Sequence, residues 1–257
     1  MTPRFVIAEV DARGVARVTI DNAAKLNCLS RAAARELVDA MRRVAAAPTL
    51  RVVVLTGAGD RAFAGGANLD ELGALDADSA RAFITALHEA CAAMRDCPVP
   101  VIARVNGWCL GAGLELAAAC DFRIASGNAM FGMPEVRLGI PSVIEAALLP
   151  RLVGAGRARW LVLTGQTINA EEALRWGFLE RVVPQPELDQ AVDAVVEAIL
   201  QNHDGATRTQ KRLQQAYEDL PLDEAVRISI DEFARSYESG EPREIIAAFR
   251  TQAKRPR

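Results

Sequence analysis

"NGWCLGAGLELAAACD", residues 106–121, places a single carboxylate, Glu115, among small and apolar residues that run from Leu110 to Cys120. A surface helix carries one apolar stripe and a polar back. A helix that is apolar all round is a buried one. Glycines at 111 and 113 fit a turn entering that helix, where backbone must pass close to a neighbour. A carboxylate buried there is costly unless it is paired, hydrogen-bonded or protonated. The stretch therefore predicts a buried helix entered from a glycine turn, with an acid held inside for a purpose.

Outward from this stretch, strand-like and helix-like segments alternate. "RFVIAEV" and "VARVTID" alternate apolar and polar residues around "DARG", which predicts an opening hairpin. "RAAARELVDAMRRVAAA" reads as a helix capped by Ser30. "RVVVLTG" is a continuous apolar run closed by glycine, the mark of a strand covered on both faces. The glycine-rich loop "GAGDRAFAGGANLDEL" follows, then a helix around residues 79–95 that ends before Pro98. The unit recurs as strand "VPVIARVNG", glycine loop, helix "LELAAAC" and strand "DFRIASG". This is α/β organisation, with function expected in the loops that follow strands. "NAEEALRWGFLERVV" reads as helix, glycine, strand, and the last sixty or so residues as amphipathic helices.

The chain has 257 residues, 51% hydrophobic and 25% charged, with a formal net charge of −3. That is ordinary globular composition, and its mild acidity gives no basic face for nucleic acid. No apolar run reaches membrane-spanning length, and "MTPRFVIAEVD" lacks a signal-peptide core, so a soluble, cytoplasmic protein without membrane contact is expected. Cysteines 28, 91, 97, 109 and 120 form no CxxC pair, and Cys109 and Cys120 read as small buried hydrophobes. Two histidines, His88 and His203, supply no ligand cluster, so no metal site is expected.

"GAGDRA" at 57–62 fits a dinucleotide fingerprint after a strand, with Asp76 and Asp78 about twenty residues on. The following "AFAGGA" propagates a helix poorly, which argues against that reading. The loops "FAGGANLDEL" and "GAGLEL" admit two others. They are ordinary tight turns, or backbone N–H groups at Gly65–Ala67 and Ala112 converge to hold a developing oxyanion. Two further acids lie in "FGMPEVRLGIPSVIEAALLP". Glu135 follows Pro134 and reads, in the plain case, as a loop acid paired with Arg137. Glu145 stands three after Ser142, the spacing of a capping box.

Taken together, "FAGGANLDEL", "NGWCLGAGLELAAACD", "FGMPEVRLGIP" and "LTGQTINAEEALRWGFLERVV" resemble the crotonase superfamily, specifically enoyl-CoA hydratases. The resemblance runs from "VTIDNAAKLNCLS" to at least Val183, and more loosely to the end. It implies a spiral of repeated ββα turns over residues 1–196 and a helical oligomerisation segment over 197–257 that builds trimers, often stacked into hexamers. It implies an acyl-CoA substrate whose thioester carbonyl lies between the N–H groups of Ala67 and Ala112. Glu115 and Glu135 would then position one water and add it across a 2,3-double bond, with no metal and no separate cofactor. Lys25, Leu26, Ala64, Gly65, Asn68 and Leu69 fall at the coenzyme-binding positions, Lys25 toward the phosphates and Asn68–Leu69 on the adenine side. Trp108, Met133, Val143 and Ile144 are the expected acyl-pocket residues.

Two acids favour a hydratase over the isomerases and thioester hydrolases of the same fold, and would be surplus in a non-catalytic acyl-CoA-binding scaffold. The sequence departs from the family pattern at three places. Ala112 is the middle residue of the glycine triplet, Asn68 stands where aspartate is usual, and "PSVIEAALLP" replaces the glycine-rich run after the second acid. The last change leaves Glu145 free to be a third polar contact.

Overall fold

The structure, a computed structural model, describes residues 4–253. Strands β1 (Val6–Val10) and β2 (Val15–Ile20) form the opening hairpin, in register from Val6↔Ile20 to Val10↔Ala16. Asp11 closes its turn by accepting the N–H groups of Arg13 and Val15 at 2.8 and 2.9 Å. Helix α1 (Arg31–Ala45) starts at Ser30, whose hydroxyl accepts the Ala33 N–H at 3.1 Å, as the sequence predicts.

From there the chain winds in ββα turns. β3 (Val52–Gly57) and β4 (Ala62–Ala64) lead to α2 (Leu69–Leu72) and α3 (Ala77–Arg95). β5 (Val101–Val105) and β6 (Trp108–Leu110) lead to α4 (Ala112–Ala118). β7 (Phe122–Ser126) and β8 (Met130–Gly132) lead to α5 (Leu149–Val153) and α6 (Ala155–Thr164). β9 (Thr167–Asn169), α7 (Ala170–Trp176), β10 (Arg181–Val183) and α8 (Leu188–Leu200) complete the winding. In each of these turns the first strand joins one sheet and the second joins another. The larger sheet has the order β1-β2-β3-β5-β7-β10, and the smaller β4-β6-β8-β9. β2, β3, β5, β7 and β10 run parallel, as do β4, β6 and β8. The three-residue strands of the smaller sheet are too short for a period-2 pattern, so local reading treats them as loop.

The continuous apolar strands are buried from both sides. Val52, Val54, Ile102 and Ile124 pack with Leu188, Val192 and Val196 of α8. Val53, Leu55, Val101 and Ala103 face the main core with Leu37 and Met41 of α1 and Leu87 and Met94 of α3. Burial of each such side chain contributes about 1.5–3 kcal/mol, so apolar packing closes both faces of the larger sheet. The first compact unit runs through Gln201. A second unit starts at Asn202. It contains α9 (Asp204–Asp219), α10 (Leu222–Ser236) and α11 (Glu241–Ala253). Among the described residues no helix is long and apolar enough to cross a membrane.

Candidate active site

The helix of the opening stretch is α4, and every residue of it is buried. Two glycines make its placement possible. Gly113 lies against β4, where any Cβ would be driven into the Ala64 carbonyl. Gly111 turns the chain into α4 at φ +49°, and a Cβ there would run into the Glu135 carboxylate. Glu115 is thus carried into the interior at 4% exposure, while Glu135 approaches the turn before its helix from the segment after β8.

Each acid takes a hydrogen bond from the segment 142–146. The Ala146 N–H donates to Glu115 Oε1 at 3.1 Å, and the Ser142 hydroxyl donates to Glu135 Oε2 at 2.8 Å. Burial raises the Glu115 pKa to about 8; the Ala146 bond works against this, and the nearby charges of Glu135 and Glu145 add to it. Burial also raises Glu135, against the hydrogen bonds from its own backbone and from Ser142. Two acids in one apolar site, each reluctant to ionise, are suited to holding one proton between them.

Both acids line a cavity of about 350 Å³. One wall is Gly65–Ala67 and Gly111–Ala112; the apolar walls are Phe83, Ile84 and Leu87 of α3 with Leu138, Ile140 and Val143. Ala67 forms a parallel bridge with Leu29, in which Leu29 N–H bonds to Gly66 and the Leu29 carbonyl accepts Asn68 N–H. That pattern leaves the Ala67 N–H outside the bridge. Ala112 is the first residue of α4, where an N–H has no acceptor within the helix. The structure therefore brings Ala67, Ala112, Glu115 and Glu135 around one space.

Of the six expected coenzyme positions, two line the cavity. Gly65 and Leu69 line the cavity, and Leu69 is 64% exposed. Gly65 N–H bonds to the Leu26 carbonyl, Ala64 is buried in β4, and Asn68 caps α2 by accepting the Glu71 N–H. Lys25 is exposed and pairs with Asp70 at 2.7 Å. Of the expected acyl-pocket residues only Val143 lines the cavity. Trp108 stands two residues before Leu110 on β6, about 7 Å of strand away. Met133 is fully buried in the core, and Ile144 packs on that core.

One other expectation is corrected, the capping box, and the structure also decides the plain reading of Glu135 as a partner of Arg137 and the dinucleotide fingerprint that the sequence already argued against. Glu135 bonds to Ser142, and Ser142 is seven residues away. The Ser142–Glu145 capping box does not form: the turn at Ile144–Leu148 has Val143 at its cap position and no side-chain cap bond. Glu145 instead points inward, 5% exposed, with Oε1 at 2.8 Å from His88 Nδ1. Residues 58–61 are the bend between β3 and β4 and start no helix, in line with the sequence argument against a dinucleotide fingerprint. Local reading also missed the α3 residues Phe83, Ile84 and Leu87, whose helical spacing looks like ordinary core.

The enoyl-CoA hydratase/isomerase family model matches residues 11–256. A crotonyl-CoA hydratase from Syntrophomonas wolfei is 37% identical over 225 residues, 87% of this chain and 86% of that protein. A short-chain-enoyl-CoA hydratase from Clostridium acetobutylicum is 34% identical over 95% of this chain and 94% of its own length. Among solved structures, an enoyl-CoA hydratase from Bacillus anthracis superposes with a TM-score of 0.91 at 31% identity, covering 96% of each chain. With a ββα spiral and a match over nearly its whole length, the chain belongs to the enoyl-CoA hydratase/isomerase family.

Proposed function

We propose that the protein is a hydro-lyase that adds water across the 2,3-double bond of a trans-2-enoyl-CoA. The observation that carries this reading is the pair of carboxylates, Glu115 from α4 and Glu135 from the segment after β8, on one cavity whose other wall holds Ala67 and Ala112. The thioester carbonyl sits between the N–H groups of those two alanines, which stabilise the enolate-like charge that develops as C3 is attacked. One water lies between the acids. Its oxygen bonds to C3, its proton passes to the ionised carboxylate, and the pair returns a proton to C2. The elements of water are added, the acids end with one proton as they began, and no redox cofactor or metal takes part.

Lys25 and Asp70 form an exposed pair, Asp70 next along the chain to the cavity-lining Leu69; phosphate groups of the coenzyme would compete with Asp70 for the ammonium. Leu222, Val226, Ile230 and Phe233 form one exposed apolar stripe along α10. It supports assembly of this chain with copies of itself as a trimer or a pair of stacked trimers.

The test is incubation with crotonyl-CoA in ¹⁸O-labelled water. Loss of the conjugated-thioester absorbance with label in the product supports hydration. Double-bond migration without label would mean isomerisation, free coenzyme A would mean thioester hydrolysis, and tight binding of enoyl-CoAs without turnover would mean a scaffold.

A further inference from the structure

The short segment from Ser142 to Ala146 supplies the side-chain anchors of both acids: Ser142 donates to Glu135 and the Ala146 N–H donates to Glu115. Within it Ile144 has φ +41°, a region that a β-branched residue occupies only when its surroundings hold it there. The residue between Ile144 and Ala146 is Glu145, whose Cα belongs to the same rigid peptide unit as the Ala146 N–H. Its carboxylate is buried, with Oε1 on His88 Nδ1 and Oε2 without a hydrogen-bond partner among the described residues. Neither Glu145 nor His88 lines the cavity. The acid is thus kept out of the cavity that Glu115 and Glu135 line, and is tied to the middle of α3 by a half-exposed histidine.

We infer that His88 and Glu145 form a clamp that holds the Ser142–Ala146 segment against α3 and thereby sets the positions of Glu115 and Glu135. Glu145 is a positioning residue. In the clamp the imidazole N–H at Nδ1 donates and Glu145 Oε1 accepts. The clamp replaces what a glycine-rich turn would do by backbone alone: it holds a strained turn in place with a side chain. The inference rests on the hydration reading for its kinetic consequence, but its structural part stands apart from that reading.

The experiment uses the full-length protein with His88→Ala, His88→Asn, Glu145→Ala and Glu145→Gln. His88 is half-exposed, so its variants fold even if burial of an altered Glu145 does not permit folding. Asn places an amide N–H near the position of imidazole Nδ1, and Gln keeps an oxygen for His88. Amide hydrogen exchange at Ala146 is measured by NMR, and kcat and KM with crotonyl-CoA. His88→Ala is expected to speed Ala146 exchange at least about tenfold and to lower kcat about ten- to a hundredfold with KM within twofold. His88→Asn and Glu145→Gln restore most of both. Unchanged Ala146 exchange in His88→Ala overturns the clamp, as does faster exchange with native kcat, or a change in KM alone. A Glu145→Gln variant as impaired as Glu145→Ala would show that the charge acts and not the anchor. Wild-type protein that leaves crotonyl-CoA untouched would overturn the hydratase reading, while Ala146 exchange still decides whether the clamp exists.

Discussion

The Glu135 carboxylate packs against the α-carbon of Gly111, the residue that turns the chain into the helix bearing Glu115. One residue thus sets the entry of one acid and the room for the other. Gly111→Ala should lower kcat about a hundredfold and cost roughly 1–3 kcal/mol of stability. Gly177→Ala is the control. Gly177 has φ +84° with no atom closer than 3.7 Å to an added Cβ, so it bears backbone strain without a carboxylate. Equal kinetic losses in the two variants would mean that strain alone, not displacement of Glu135, is being measured.

Glu115→Gln and Glu135→Gln should each lose about 10²–10⁴-fold in turnover while still binding an acyl-CoA. Because both act on one water, the double variant should lose far less than the product of the single losses. Rates for all three, with folding checked by thermal melting, decide this. Single variants with near-native rates would make the acids structural.

How much of this was legible beforehand divides by range. The buried helix, its glycine entry and the parallel strands are written in continuous apolar runs and glycines that single segments carry. The anchors of the acids are not. Ser142 and Glu145 stand at a capping-box spacing, and that spacing fits the local pattern. The competing partners, Glu135 for Ser142 and His88 for Glu145, come from other elements and win because both acids are drawn inward. Likewise Phe83 and Leu87 look like any apolar face of α3 until the cavity opens beside them. Trp108 and Met133, which the resemblance implies for the acyl pocket, do not line the cavity, and no local pattern tells which neighbours of a lining residue face it.

Removing the apolar stripe of α10 tests the assembly. Ile230 and Phe233 are 63% and 68% exposed. Ile230→Asp with Phe233→Asp should shift the protein in sedimentation from the proposed trimer or stacked trimers to monomer, with each copy's helices intact by circular dichroism. An unchanged sedimentation profile would remove the assembly proposed through this stripe.

The hydroxyl of Ser142 favours the ionised form of Glu135 by donating to it. Ser142→Ala removes that donor, so the Glu135 pKa should rise and the acidic limb of the kcat–pH profile should move to higher pH. A limb that moves to lower pH, or stays in place, would separate Ser142 from the titration of Glu135.

Glu115 should make the protein lose stability as pH rises. Its folded pKa is about 8 against an ordinary value of 4.5, because burial penalises the charged form. Between those two pH values the folded chain holds a proton that the unfolded chain has released, so stability falls steadily with pH across the window and levels off above it. The cost at pH 9 is on the order of a few kcal/mol, or several degrees in melting temperature for a chain of this length. Gln at this position carries no titrating proton, and its carbonyl oxygen can still accept the Ala146 N–H. Glu115→Gln should therefore melt several degrees above wild type at pH 9, with the gap closing toward pH 5, even though it is the slower enzyme. Glu135 is also raised and contributes with the same sign, but it is present in both proteins and drops out of the difference to first order. Melting curves of the two proteins from pH 5 to 9 measure it. A gap independent of pH would mean that Glu115 titrates in the folded protein as it does in the unfolded chain.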